Sequence, residues 1–217
     1  MRNRITVETL YAFDELTDEA KETARNWYRD ASAGDDFWSE CTLDGIADAG
    51  RALGIDFDYK HARRAIWFSG FSSQGDGASY EGTWHASDIE PGKVAAEWTG
   101  DDKSGAELRR IAAGLEDIAR QYPDSRASVS SGRYHNLSID CDMGDSDTLP
   151  DGGDDPDALA DWRDTFPADD LAELLRDFAH WAYRALESEY EYQNSDEQID
   201  ESIRCNEYEF TEEGCIS

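Results

Sequence analysis

Apolar side chains recur at three- and four-residue intervals through Leu16, Ala20, Ala24, Trp27 and Tyr28, which predicts an amphipathic helix. Thr17 supplies an N-cap for it, and Asp18 and Glu19 put negative charge in its first turn. Ahead of it, Ile5, Val7, Leu10 and Tyr11 lie in a β-branched and aromatic run that predicts a first strand. After the break at Gly34, Asp35 and Asp36, the residues Phe37, Trp38, Cys41, Ile46, Ala49 and Leu53 predict a second helix closing at Gly54.

From Ile55 to Trp98 the period shortens to two. Breaks at Gly and Pro divide this stretch into four strands: around Phe57 and Tyr59, over 65–68, over 80–85 and over 94–98. Leu108, Ile111, Ala112, Leu115, Ile118 and Ala119 then form the stripe of a third helix that ends near Pro123. The period of two returns over Tyr134 to Met143, with Leu137 and Ile139 on one face and Asn136 and Ser138 on the other. Leu171, Leu174, Leu175, Phe178, Trp181, Ala182, Ala185 and Leu186 mark a long helix with Asp169 and Asp170 at its start. A short helix around Asp196 to Ile203 and a strand over Tyr208 to Phe210 follow.

The expected fold class is α+β: an antiparallel sheet of about five to six strands flanked by about four helices, with a long C-terminal helix. Gly144 to Pro156 reads as a mobile acidic loop between a mixed body, 1–143, and an acidic helical part, 157–217, packed on that body as one domain. With 39% hydrophobic and 12% aromatic residues, the chain of 217 can bury a core despite a net charge of −30.

The charge is uneven along the chain. Residues 1–139 carry −9 and residues 140–217 carry −21. A field of that sign repels nucleic-acid phosphate and attracts basic surfaces, so direct nucleic-acid binding is not expected and a basic partner is. The N-terminus lacks an apolar stretch of signal-peptide or membrane length, which predicts a cytoplasmic protein. Cys41, Cys141, Cys205 and Cys215 are scattered without a paired spacing, so neither a zinc site nor a disulfide framework is expected.

The segment FSGFSSQGDGASYEG, Phe68–Gly82, stands out in such a chain. Its loop candidates are Ser72, Gln74 and Asp76. Gly75 and Gly77 are positioned to take positive φ around Asp76, in a hairpin turn that buries Trp67, Phe68 and Phe71. The same loop could instead present Asp76 to a partner or a ligand, but a phosphate cradle would need a following helix and a Lys, and a strand follows. Asp140–Asp147 has carboxylates two apart, yet Gly144 and Asp145 put the EF-hand register out by one. His61, His85, His135 and His180 fall in no catalytic motif, so no catalytic residue, metal or cofactor is assigned.

Glu187–Glu213 holds 11 acidic residues against one Arg, with Tyr190, Tyr192, Tyr208 and Phe210 interleaved. Carboxylates so spaced along helices can occupy an Arg- and Lys-lined groove built for DNA or RNA. The partner-binding candidates are Glu187, Glu189, Glu191, Asp196, Glu197, Asp200 and Glu201, with Asp154 and Asp155 as outliers.

Four stretches, Phe13–Asp30, Ile66–Gly82, Arg133–Asp140 and Leu186–Gly214, are together similar to a family of small phage, prophage and plasmid proteins often labelled "antitoxin of toxin–antitoxin stability system". The resemblance implies a mobile-element origin and carries no catalytic residues. Joined to the charge, it leads to the expectation of a non-enzymatic inhibitor that binds a basic, nucleic-acid-handling host defence complex by DNA mimicry, of anti-CRISPR or anti-restriction type. The alternatives are an antitoxin that masks a cognate toxin, or a haloadapted protein of unrelated function.

Overall fold

The computed structural model describes residues 9–32, 37–57, 65–99, 103–144, 149, 153 and 155–217. The chain divides into two compact units, one of residues 1–40 with 188–217 and the other of residues 41–187. The predicted strand at Ile5 and Val7, the break at 34–36, Tyr59, His61 and Asp154 lie outside the described residues, as does most of 144–156.

The smaller unit joins the two ends of the chain. Strand β1 (Tyr11–Ala12) pairs antiparallel with β8 (Glu209–Phe210), Tyr11 opposite Phe210. Helix α1 (Asp18–Ser32) begins where Thr17 Oγ1 accepts from the Ala20 amide, as its cap pattern predicts. It packs by Ala20 and Ala24 against Ile199 and Ile203 of α7 (Asp196–Cys205) around Phe13 and Phe210. Small alanines on α1 let the helices approach closely, so polar side chains at the rim meet as well. There Arg25 grips Asp200 with two hydrogen bonds, Nε to Oδ1 at 2.6 Å and Nη2 to Oδ2 at 2.8 Å. Arg29 reaches Asp196 at 2.5 Å, and Arg204 reaches Asp14 at 2.9 Å.

The larger unit is built on a four-stranded antiparallel sheet in the order β2-β5-β6-β7, from β2 (Leu53–Phe57), β5 (Gly82–Ile89), β6 (Arg126–Ser131) and β7 (Leu137–Asp142). A separate hairpin, β3 (Ile66–Ser69) with β4 (Gly77–Tyr80), holds its own two-stranded pairing. Helices α2 (Trp38–Ala52), α3 (Lys93–Glu97), α4 (Lys103–Gln121), α5 (Pro156–Asp164) and α6 (Ala168–Gln193) complete the elements. The last residues of α6 and the first of α2 are counted with the smaller unit.

The core of the larger unit sets a cluster of aromatic rings among Ile and Leu side chains. Phe57, Tyr80 and Phe178 meet edge to face or tilted at 5.5–6.5 Å between centroids. Each buried polar tip has a partner, as burial demands: the Tyr80 hydroxyl donates to the Leu175 carbonyl, and the Trp84 indole to that of Leu53. α6 is tied to α4 by Arg110 on Asp177 at 2.5 Å and by Arg184 on Glu107. Gly114 of α4 admits Leu174 of α6, since a Cβ there would come within 2.8 Å of the leucine.

The α+β class stands, with departures that have physical causes. The single sheet of five to six strands is a sheet of four plus two separate pairs, and seven α-helices are present among the described residues. The strand expected over 94–98 is helix α3, started by Gly92 at φ 75° and burying Val94 alone while Ala95 and Ala96 stay exposed. Helix α2 ends at Ala52, just before the expected Gly54, and that glycine at φ 84° also forms a bulge in β2 where a Cβ would meet the His85 carbonyl oxygen at 2.6 Å. Strand β6 escaped the sequence pattern because Ala127 and Val129 are its only buried apolar residues, among Arg and Ser of weak strand preference. Trp67, expected inside, is 36% exposed.

The Arg25–Asp200 pair is 18% and 15% exposed, so its loss is not made good by water. Asp200→Asn is expected to lower the unfolding free energy by about 2 kcal/mol in urea denaturation. A change under about 0.5 kcal/mol, the size typical of an exposed pair, would show the pair to be incidental.

Candidate functional site

The acidic candidates are placed differently from one another. Glu187, Glu189 and Glu191 lie on the last turns of α6, the first two half-buried and the third exposed. Glu189 accepts from Gln193 at 2.7 Å. On α7, Asp196 and Asp200 are turned into the ion pairs with Arg29 and Arg25, while Glu197 and Glu201 are exposed. Asp155 is the N-cap of α5, its side chain accepting from the Asp157 amide at 3.0 Å. The fold also evens the charge. By sequence the contrast is −21 over 78 residues against −9 over 139; by compact unit it is −14 over 70 against −16 over 147.

The loop candidates lead to a different place. Asp76 folds back on its own turn, where one carboxylate oxygen accepts from the Ser72 amide at 3.0 Å and the Ser73 amide at 2.6 Å. It lies so close over Gly70 that a Cβ there would stand 2.4 Å from that oxygen. Gly70 and Gly75 take positive φ, 46° and 102°, whereas Gly77 does not. Ser72 and Gln74 are exposed at the tip and Asp76 is half-buried. Phe68 and Phe71 stack at 6.0 Å, Phe71 meets Tyr183 of α6 at 5.5 Å, and the Tyr183 hydroxyl donates to the Gly70 carbonyl.

Gly77 is bare for another reason. The His135 side chain lies over it, with the imidazole Cγ 3.6 Å from where a glycine Cβ would be. The ring spans the hairpin between two hydroxyls on the same face of β3 and β4. Its Nε2 is 2.8 Å from Ser69 Oγ, and its Nδ1 is 2.9 Å from Ser79 Oγ. Ser79 is 1% exposed and accepts from the Ser131 hydroxyl at 2.9 Å. A neutral ring donates from one nitrogen and accepts at the other, so one of the two serine hydroxyls donates to His135 and the other accepts from it.

His135 and its neighbour Tyr134 are held at a conformational cost. Gly132–Asn136 joins β6 to β7, and the Asn136 amide closes on the Arg133 carbonyl at 3.3 Å. The two central residues, Tyr134 at φ 55° and His135 at φ 56°, are both left-handed, as in a type I′ turn. Such a turn favours Asn-Gly. An L-residue with a full side chain costs about 1–2 kcal/mol at each such position, and strain of this kind collects where function needs a side chain held in place. The expected strand over Tyr134–Met143 thus begins only at Leu137.

What the turn presents is a cleft of about 230 Å³. Asp76 and Gly77 form one wall, Tyr134, His135 and Asn136 another, and Arg176, His180 and Tyr183 of α6 the third. Tyr134 is 78% exposed at its mouth. Burial lowers the His135 pKa, and the nearby Asp76 charge offsets this only in part. Among the described residues no group of three or more His, Cys, Asp or Glu side chains is arranged to hold a metal ion, and no helix is long and apolar enough to cross a membrane. The clue to this site in the sequence was the glycine- and serine-rich stretch Phe68–Gly82, while Tyr134-His135 carries no turn signal and read as the start of a strand. The pairing of His135 with a hairpin some 60 residues earlier left no local trace.

A family model described as a domain of unknown function, DUF8835, matches residues 38–196 and so contains every residue that lines the cleft. Neither the curated proteins nor the solved structures gave a match.

Tyr134→Asn suits the turn better and removes an exposed ring. It is expected to raise stability by about 1 kcal/mol in thermal or urea unfolding; destabilisation would mean that the tyrosine is held for packing. The second expectation concerns pH. With the native imidazole harder to protonate than the unfolded one, the unfolded chain binds more protons below about pH 6.5, so this contribution to stability is present above that pH and is lost as pH falls toward the lowered native value. His135→Gln should flatten the pH dependence of the unfolding free energy in that window, and an unchanged slope would refute the assignment.

Proposed function

We propose that this chain, which belongs to the DUF8835 family of domains of unknown function, is a binding protein for a small polar ligand, taken up in the cleft between the β3–β4 hairpin, the Tyr134–His135 turn and α6. The observation that carries this reading is the turn. Two strained residues stand where Asn-Gly would cost nothing, one clamped between serines and the other left in water at the mouth of a cleft. Core packing does not account for an exposed tyrosine with positive φ; a ligand stacked on its ring does. A cleft of this size suits a metabolite of few heavy atoms, walled by apolar surface and a few placed polar groups.

A second reading concerns the acidic end of the chain. The smaller unit has the higher charge per residue, and Glu191, Glu197 and Glu201 stay exposed there. These carboxylates favour a basic, nucleic-acid-handling partner, as phosphate mimicry requires. Asp196 and Asp200 contribute less to such a surface, being already engaged by arginines.

A thermal-shift screen of polar metabolites separates the two. A ligand present at about 100 times its Kd stabilises the native state by about 2.7 kcal/mol, a shift of several degrees. The expected result is such a shift for one chemical class in the natural protein, lost in Tyr134→Asn. A blank screen, together with a captured protein partner that Glu191→Lys, Glu197→Lys and Glu201→Lys release, would overturn the cleft reading in favour of the acidic surface.

A further inference from the structure

The cleft's polar groups are not equivalent, and their difference points to the ligand's charge. Asp76 is the one carboxylate among the described residues of the lining, and one of its oxygens is held inside the hairpin by two backbone amides. His135 has both ring nitrogens engaged by serines. The Tyr183 hydroxyl is committed to the Gly70 carbonyl. What remains to face a ligand is the Arg176 guanidinium, a donor only, with groups beside it that can each donate a hydrogen bond: the His180 imidazole one helical turn further along α6, its Nδ1 4.0 Å from Asp177, the Tyr134 hydroxyl and the Asn136 amide.

Arg176 is the cation of the lining. The chain has only 20 Lys and Arg against 50 Asp and Glu, and several of the cations are drawn into ion pairs, such as Arg51 with Asp48, Lys93 with Glu90, Arg110 with Asp177, Arg120 with Asp117 and Arg184 with Glu107, while Lys21, Lys103 and Arg133 form none among the described residues. Arg176 makes no ion pair or hydrogen bond among the described residues, although Asp140 and Asp169 lie close enough to act with it on the thiol of Cys141. In a chain so rich in carboxylates, an arginine left open on a cleft wall is a charge without its counterpart.

We propose that the counterpart is the ligand's own oxyanion, a carboxylate or phosphate, held by Arg176 with His180 and Asn136 beside it and with the rest of the molecule against the Tyr134 ring. This rests on the cleft being the binding site. Arginine matches both groups because its planar fork donates two parallel hydrogen bonds, which a point charge cannot. The net charge of −30 opposes an anion at long range, so the site works best where salt has shortened that field; at about 1 M the screening length is about 3 Å and only the local contacts count.

The test is a titration of the histidine ring resonances at constant pH and about 1 M chloride, with sodium phosphate, sodium acetate and ethylammonium chloride as separate probes. Phosphate or acetate should move His180 and His135 saturably, and whichever saturates at lower concentration identifies the group. Arg176→Gln should weaken that binding by about tenfold or more, the loss of one charge-assisted contact, with unaltered thermal unfolding, and Arg120→Gln should leave it unchanged. Saturation by ethylammonium alone overturns the oxyanion and leaves the cleft standing as a cation site. Equal anion binding by Arg176→Gln overturns the assignment to Arg176, and no saturation by any probe overturns the proposal, while the metabolite screen still decides whether the cleft binds something else.

Discussion

Fifty carboxylates must be folded with twenty lysines and arginines, and that scarcity of cations shapes what each one does. Repulsion across such a surface opposes compaction, so a cation is worth most where it joins segments distant in sequence. Arg25 holds α7 to α1 across 175 residues, and Arg204 holds α7 to Asp14 at the start of the chain. Arg110 and Arg184 brace α6 against α4 in the larger unit. In the smaller unit three of the cations, Lys21, Arg25 and Arg204, also stand within 6 Å of the Phe13 ring centre, so its core is closed by charge as well as by apolar contact. Arg176, on the cleft wall, braces no element among the described residues.

The fold's periodic parts were legible because burial there follows one local rule. The stripes of α1, α4 and α6 and the cap at Thr17 could be read from spacing alone, since each helix buries one face along its length. The pattern failed where small residues replace large ones. Strand β6 buries only Ala127 and Val129, and α3 buries only Val94, so neither offers enough apolar contrast to reveal its period. The polarity of charge along the chain was real but misleading in space, because the two termini fold into the same unit and average their charge.

The site was half legible. The glycine- and serine-rich stretch at 68–82 declares a special backbone, and the hairpin it forms was expected. Its purpose was not, because the residue it serves arrives from another hairpin. Gly77 is bare to seat the imidazole, Ser69 and Ser79 hold its two nitrogens, and Ser131 hydrogen-bonds Ser79 from behind. Gly70 and Asp76 shape the turn that holds the serines in register. The composition that looks extravagant for a simple turn is the cost of building a receptacle for one ring.

That receptacle explains how the strain at Tyr134 and His135 persists. A left-handed histidine would relax if its ring were free, but two hydroxyl contacts and the close packing over Gly77 hold it, and each hydrogen bond contributes about 1 kcal/mol. His135 thereby offsets its own cost and part of its neighbour's. Tyr134 has no comparable anchor; its ring touches Gly75 and is otherwise in water. The turn is therefore divided between a residue that stabilises the conformation and one that is carried by it. The carried residue stands at the mouth of the cleft that Arg176 also lines, and a molecule that met both would return to the protein the contacts it forgoes when empty.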